Sequence, residues 1–354
     1  MRQKSNMRLQ TLLFLSITLF WQCQTKKENT SQAERNGAVI AFGSCSHQDN
    51  PDQMWREILA QDPDIWIWGG DNIYGDTEDM SVLRAKYDKQ KSREGYQELI
   101  QQVPVIGIWD DHDYGVNDGG REYPKKDSSK IMMLEFLDVP ESEEVWSRPG
   151  AYQAYEKTIN GIDIQFILLD TRYFRDSLAT DTTGNGRYMP RPEGDFLGEA
   201  QWEWLKDRLN NESVDLNVVM SSIQVIPEEH GWEKWANLSS SQDRLFDLIT
   251  ETNPKPLIFL SGDRHIAEIS KINIDNISYP VYEFTSSGLS HTWSEKRPEP
   301  NRYRVGDLII EKNYGLIKVN KSDDVLEMNF EVRGKNDTTY LTESFELPLK
   351  EVNQ

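Results

Sequence analysis

The run Ile65-Trp66-Ile67-Trp68 is apolar at every position, stops at Gly69-Gly70 and then releases Asp71. A strand with water on one face alternates apolar with polar residues, so an unbroken run implies that both faces are covered. The same grammar returns along the chain. The run from Ala38 ends at Gly43-Ser44-Cys45-Ser46, and Val103 to Trp109 ends at Asp110-Asp111-His112-Asp113. IDIQFILL ends at Asp170-Thr171-Arg172, DLNVVM at Ser221-Ser222, and PLIFL at Ser261-Gly262-Asp263. Helical spacing falls between them, at 51–60, around 81–101, near 129–139, and in LGEAQWEWLKDRLN and SSQDRLFDLIT. Apolar strands alternating with helices predict an α/β class with helix-covered sheets, as one domain from about residue 38 to 295.

From Asn313 the pattern changes to YGLIKVN, LEMNFEVRG and ESFELPL, short strands expected to add antiparallel partners to the main body. Residues 176–195 are a Gly-, Asp- and Thr-rich excursion, expected as a surface loop over or near a site. No internal repeat or heptad series is present.

The amino terminus carries Arg2, Lys4 and Arg8, then TLLFLSITLFW, then a polar stretch. An apolar core of about ten residues suits a secretory signal better than a membrane span. Residues 1–22 therefore read as a signal peptide, 23–37 as a flexible tether and 38–350 as the working domain. The expected location is outside the cytoplasm: periplasmic, outer-membrane-anchored or extracellular. Cys23 stands where a lipoprotein signal places its lipidated cysteine, while Gln22 and Phe20 depart from the residues usual before it. Lipid attachment to a membrane, simple cleavage and an uncleaved anchor stay open. The only other cysteine is Cys45, and an unpaired thiol in an exported protein needs burial or a ligand role. With 39 basic against 59 acidic residues, the net charge of −20 argues against a surface built for nucleic acid backbones. A monomer is expected.

Several strands thus deliver ligating residues as they stop, and in α/β folds sites assemble at the carboxyl ends of strands. One aspartate there is an ordinary turn former. Four strands doing so, with His and Cys in support, point to metal-assisted hydrolysis of a phosphate or other polar ester. The crowding of Asp110, Asp111 and Asp113 around His112 makes sense if cations sit among the carboxylates. Carboxylates with imidazole fit iron, manganese, zinc or calcium, and a thiolate or phenolate favours a stronger Lewis acid. Trp66, Trp68 and Trp109 read as core, His230 as a candidate for an access path, and His47 and His291 as residues near implicated strand ends.

The series Gly43-Ser44-Cys45, Gly70-Asp71-Asn72-Ile73-Tyr74, Trp109-Asp110-Asp111-His112-Asp113, Asp170-Thr171-Arg172 and Ser261-Gly262-Asp263-Arg264-His265 resembles the PhoD-like alkaline phosphatases, a branch of the calcineurin-like metallophosphoesterases. The resemblance implies a four-layer sandwich of two mixed β-sheets flanked by helices. It implies Fe3+ and Ca2+, with Mn2+ or Zn2+ as alternatives, and hydrolysis of small-molecule phosphate monoesters or phosphodiesters by water activated between the cations. It places Cys45, Asp71 and Tyr74 around iron, with Asp71 also reaching calcium. Asp111 goes to the second metal, and Asp263 and His265 to the pair. His112 becomes the residue that protonates the leaving group or steadies the transferring phosphate, and Arg172 a phosphate-side arginine; Asp113, standing where many relatives have Glu, is expected on physical grounds to orient His112. Two other readings stand beside it: a phospholipase D-like or other phosphodiesterase acting on envelope lipids or polymers, and an inactive, metal-stabilised binding protein.

Overall fold

The computed structural model describes residues 36–184 and 186–349. The signal peptide, most of the tether and Cys23 lie outside the described residues. In chain order the elements begin with β1 (Ala38–Gly43), α1 (Trp55–Leu59), β2 (Ile65–Gly69), α2 (Met80–Lys91), α3 (Glu94–Ile100), β3 (Val105–Ile108), the short α4 (Asp111–Tyr114) and α5 (Lys126–Phe136). Next come β4 (Gln153–Ile159), β5 (Ile162–Leu169), a ribbon of β6 (Ala179–Thr180) and β7 (Tyr188–Met189), α6 (Gly198–Leu209), β8 (Leu216–Ser221) and α7 (Ser239–Thr252). The rest are strands: β9 (Leu257–Ser261), β10 (Ala267–Ile272), β11 (Val281–Ser286), β12 (Arg304–Ile309), β13 (Tyr314–Lys321), β14 (Val325–Arg333) and β15 (Thr339–Pro348).

Two mixed sheets result, ordered β15-β14-β13-β1-β2-β3 and β12-β10-β11-β9-β8-β5-β4. β1, β2 and β3 run parallel, and the chain's last three strands extend that sheet from β1 in antiparallel register, with Ala38 opposite Val319. In the second sheet β5, β8, β9 and β11 are parallel, and β4, β10 and β12 complete it antiparallel. The sheets meet face to face, Phe284 of β11 stacking on Phe330 of β14 at 4.1 Å between ring centroids. On the outer side of the first sheet, Trp66 and Trp68 are two residues apart in β2 and so share a face, where both pack edge-on against Trp55 of α1. This is a helix–sheet–sheet–helix sandwich. Trp66, Trp68 and Trp109 are all core.

The helical stretch expected at 51–60 is only the short α1, and the one around 81–101 divides into α2 and α3. The excursion at 176–195 carries the β6–β7 ribbon. What this frame does for function is simple: the parallel strands of both sheets end on the same side.

Candidate metal centre

Cys45 follows β1, Asp71 follows β2, Asp110 and Asp111 follow β3, and Asp263 and His265 follow β9. Ligand atoms of Cys45, Asp71 and His265 lie within 4.8 Å of one another, as do those of Asp71, Asp111 and His112, and those of Asp110, Asp111 and Asp263. Asp71 and Asp111 each belong to two of these triples, so the groups form one continuous cluster. Tyr74 joins it through a 2.9 Å hydrogen bond between its hydroxyl and His265 Nε2, and Cys45 Sγ lies 3.5 Å from Asp71 Oδ2. Six residues named from the sequence for metals therefore converge from four strand ends.

Backbone geometry explains how side chains from two sheets can meet. Cys45, Asp71, Asp263 and His265 all have positive φ, between 49° and 68°. Non-glycine residues seldom occupy that region, and clustering there marks a site where the surrounding fold holds the strain. A side chain at Gly262 would put its Cβ 2.4 Å from Ser44 Oγ and 2.7 Å from the Gly69 carbonyl. Only glycine lets the β9 end approach the β1 and β2 ends so closely.

The electrostatics call for positive charge. Burial, then the neighbouring Asp111 and Asp110 charges, push the Asp71 carboxyl well up, and burial with Asp110 and Asp111 does the same to Asp263. Burial followed by Asp71 raises the Cys45 thiol, and burial followed by Cys45 and Asp71 raises the Tyr74 phenol. Burial lowers His265 to about 3, aided by His291 and His112. Asp111 alone is held down to about 2, because Arg172, His112 and the Asp118 N–H outweigh its burial. Asp110 Oδ2 is buried without a hydrogen-bond partner among the described residues. Thiol, phenol, imidazole and carboxylate together suit a strong Lewis acid on one side, and the carboxylate-rich remainder suits a harder cation. The donors present fit a cation pair, which would reverse each of these penalties.

Two readings change. Arg172 does not face a substrate: its side chain is 0% exposed, Nε donates to Asp110 Oδ1 at 2.5 Å and Nη1 to Glu233 Oε2 at 2.7 Å. It lies beneath the centre as the internal counter-charge. Asp113 does not touch His112 either. Its carboxylate accepts the backbone N–H groups of Asp110, Asp71 and Asn72 and bonds the Asn72 and Tyr87 side chains, because it closes the capping turn of the four-residue α4. His112 Nδ1 instead meets Asp76, which the sequence reading did not single out. Burial works against a charged His112, but the Asp76 bond and the Asp111, Asp76 and Asp263 charges raise it to about 9.

His47 stacks on Tyr74 with centroids 5.1 Å apart, and His291 packs on His265 at 4.3 Å, so both flank the centre. His230 is buried rather than lining a path, its Nδ1 accepting from the Trp232 N–H. Asp170, another strand-end carboxylate, is structural: it accepts from Trp109 Nε1 and from the backbones of Ala151, Arg172 and Tyr173. A cavity of about 430 Å³ opens over Asp111, His112, Asp263 and His265.

A family model described as PhoD-like phosphatase matches residues 40–346. A solved structure of PhoD superposes with a TM-score of 0.72 at 16% identity, covering 89% of this chain and 70% of that one, and so shares the fold. A conserved uncharacterized protein of Streptococcus pneumoniae TIGR4, a predicted phosphoesterase, aligns at 12% identity over 88% of this chain and 99% of its own; its TM-score of 0.30 carries no argument. No curated protein matches the chain in sequence.

Proposed function

The chain belongs to the PhoD-like phosphatase family, whose members hydrolyse phosphoesters with metal ions, and we propose that its cations are ferric iron beside Cys45, Asp71, Tyr74 and His265 and calcium beside Asp71, Asp111 and Asp263. Manganese or zinc on either side is the competing assignment. The observation that carries the reading is the shared use of Asp71: it stands in a triple with the thiol and imidazole and in another with Asp111. Cations held there supply Lewis acidity, lower the pKa of water and offset charge on phosphoryl oxygens.

The protein's own residues do the rest. His112 lines the cavity and its Nδ1 is bonded to Asp76, a partner that favours the charged ring, so it is placed to give a proton to the leaving oxygen. Asp76 fixes the ring by holding Nδ1, which leaves Nε2 as the nitrogen for that transfer. Arg172 balances Asp110 and Glu233 from below, keeping the carboxylate cluster folded without touching substrate. The basic and apolar amino terminus supports export, with Cys23 as the candidate lipid anchor.

Elemental analysis of protein purified without chelator, joined to assays on an aryl phosphate and its diester with D71A and D263A as controls, tests this. Iron and calcium in one molecule with activity lost in both variants is the expected result. Zinc alone would overturn the assignment of Cys45 and Tyr74.

A further inference from the structure

We propose that the cavity beside the metal centre is a leaving-group pocket for phosphoesters of flat aromatic or heteroaromatic groups, with Trp232 and Trp293 as ring-stacking walls and Arg187 as the cation at its metal end. The pocket rests on the hydrolytic reading above and adds the substrate class. Its volume of about 430 Å³ far exceeds what a phosphoryl group over the cations needs. Cavities of roughly 300–1,000 Å³ with aromatic walls and a few fixed polar groups hold whole organic ligands.

The walls are built rather than incidental. Trp232 is 42% exposed, unlike the core tryptophans, yet its loop is pinned from several sides. The Gly231 carbonyl accepts the N–H groups of Arg187 at 2.7 Å and Tyr188 at 3.0 Å, and Lys234 Nζ donates to the carbonyls of His230 and Trp232. The 176–195 excursion is thereby fastened to the Trp232 loop.

Each wall is also tied to the centre. Arg187 pairs with Asp118 at 2.7 Å, and the Asp118 N–H donates to Asp111 Oδ2 at 2.6 Å. The Trp293 N–H donates to the His265 carbonyl at 3.3 Å, and the Arg264 guanidinium lies 5.7 Å from its ring centroid. Arg264 is occupied by Glu299 and Gln224, and Arg297 lines the same cavity; Arg187, about half exposed, is the cavity cation that is linked to the centre, through Asp118. Indole faces favour flat rings through stacking, and this preference is separable from the charge at the metal end.

Aryl phosphates react faster than alkyl ones by leaving-group chemistry alone, so affinity is the cleaner measure. Phenylphosphonate and methylphosphonate carry the same head group and resist hydrolysis. Calorimetry on the metal-loaded protein is expected to give phenylphosphonate about tenfold tighter binding, most of it lost in W232A and kept in W232F. R187M is expected to weaken both ligands. Equal affinities in the wild type, or an unchanged ratio in W232A, would overturn the pocket and leave the hydrolase standing. A metal-loaded wild type that splits no phosphoester at all would sink the hydrolase reading and the pocket with it.

Discussion

His112 Nδ1 lies 2.7 Å and 2.9 Å from the two carboxylate oxygens of Asp76. The pair fixes both the tautomer and the ring plane of the proposed acid. Asp76→Asn keeps the shape and removes the charge, and kcat is expected to fall about tenfold, a part of the roughly 10²–10⁴-fold that general acid–base catalysis supplies, because His112 itself stays in place. The loss should grow as the leaving group worsens, because a poor leaving oxygen depends more on the proton it receives. Comparing an alkyl with an aryl phosphate in D76N and in H112N checks this; an equal loss on both substrates would mean that Asp76 only shapes the loop.

Arg172 is expected to matter for stability. Removing one partner from a buried ion network leaves the others uncompensated, at a cost of about 3–5 kcal/mol. R172M should therefore lower the denaturant midpoint sharply, since Asp110 is left buried without its counter-charge and Glu233 keeps only Arg175. The protein that still folds should show a nearly unchanged KM. A raised KM at undiminished stability would return Arg172 to the phosphate.

The strand-end grammar made much of this legible. A continuous apolar run followed by Gly or Asp is a local signal, and it located the ends of β1, β2, β3 and β9, where Cys45, Asp71, Asp111 and Asp263 meet. β4 was not foreseen because QAYEKTI is an edge strand with a mixed buried and exposed pattern; β12, at the other edge, is mixed too, and β10 and β11 carry polar residues such as Glu268 and Glu283 within buried runs. The side-chain partners were less readable. Asp113 adjoins His112 in sequence, but a single turn of helix aims its carboxylate back at the Asp110 N–H. Asp76 reaches His112 only because the loop after Tyr74 folds across, with the Gly75 N–H on the His112 carbonyl. Arg172 is fully buried and Arg187 about half exposed, and residue type alone carries no such information.

Tyr74 offers a spectroscopic test of the iron assignment. A ferric ion bound by phenolate and thiolate should give the protein a visible absorption band. Y74F is expected to shift or bleach that band while calcium content stays the same, since the Asp71, Asp111 and Asp263 carboxylates are untouched. A colourless wild type containing one iron per chain would place the metal away from Tyr74. Chelation should abolish activity and also lower the melting temperature, because the buried carboxylates then repel one another without relief.

Gly70 sets the direction in which Asp71 leaves β2. Its φ is +92°, and an added Cβ would sit 2.4 Å from Asp110 Cβ and 2.8 Å from the Asp110 N. A left-handed backbone costs an L-residue roughly 1–2 kcal/mol, and the steric overlap adds to that. The neighbour is the backbone of the segment that carries Asp110 and Asp111, so it cannot yield without moving Asp111 away from Asp71. G70A is thus expected to lose stability and to bind less metal, measured by denaturant titration and by metal content per folded chain. G161A serves as the contrast: that glycine also has positive φ, at +82°, but nothing lies within 4 Å of an added Cβ. It should share the backbone cost and keep full metal loading. If G70A also keeps it, Asp71 is positioned by something other than the close approach of these two strand ends.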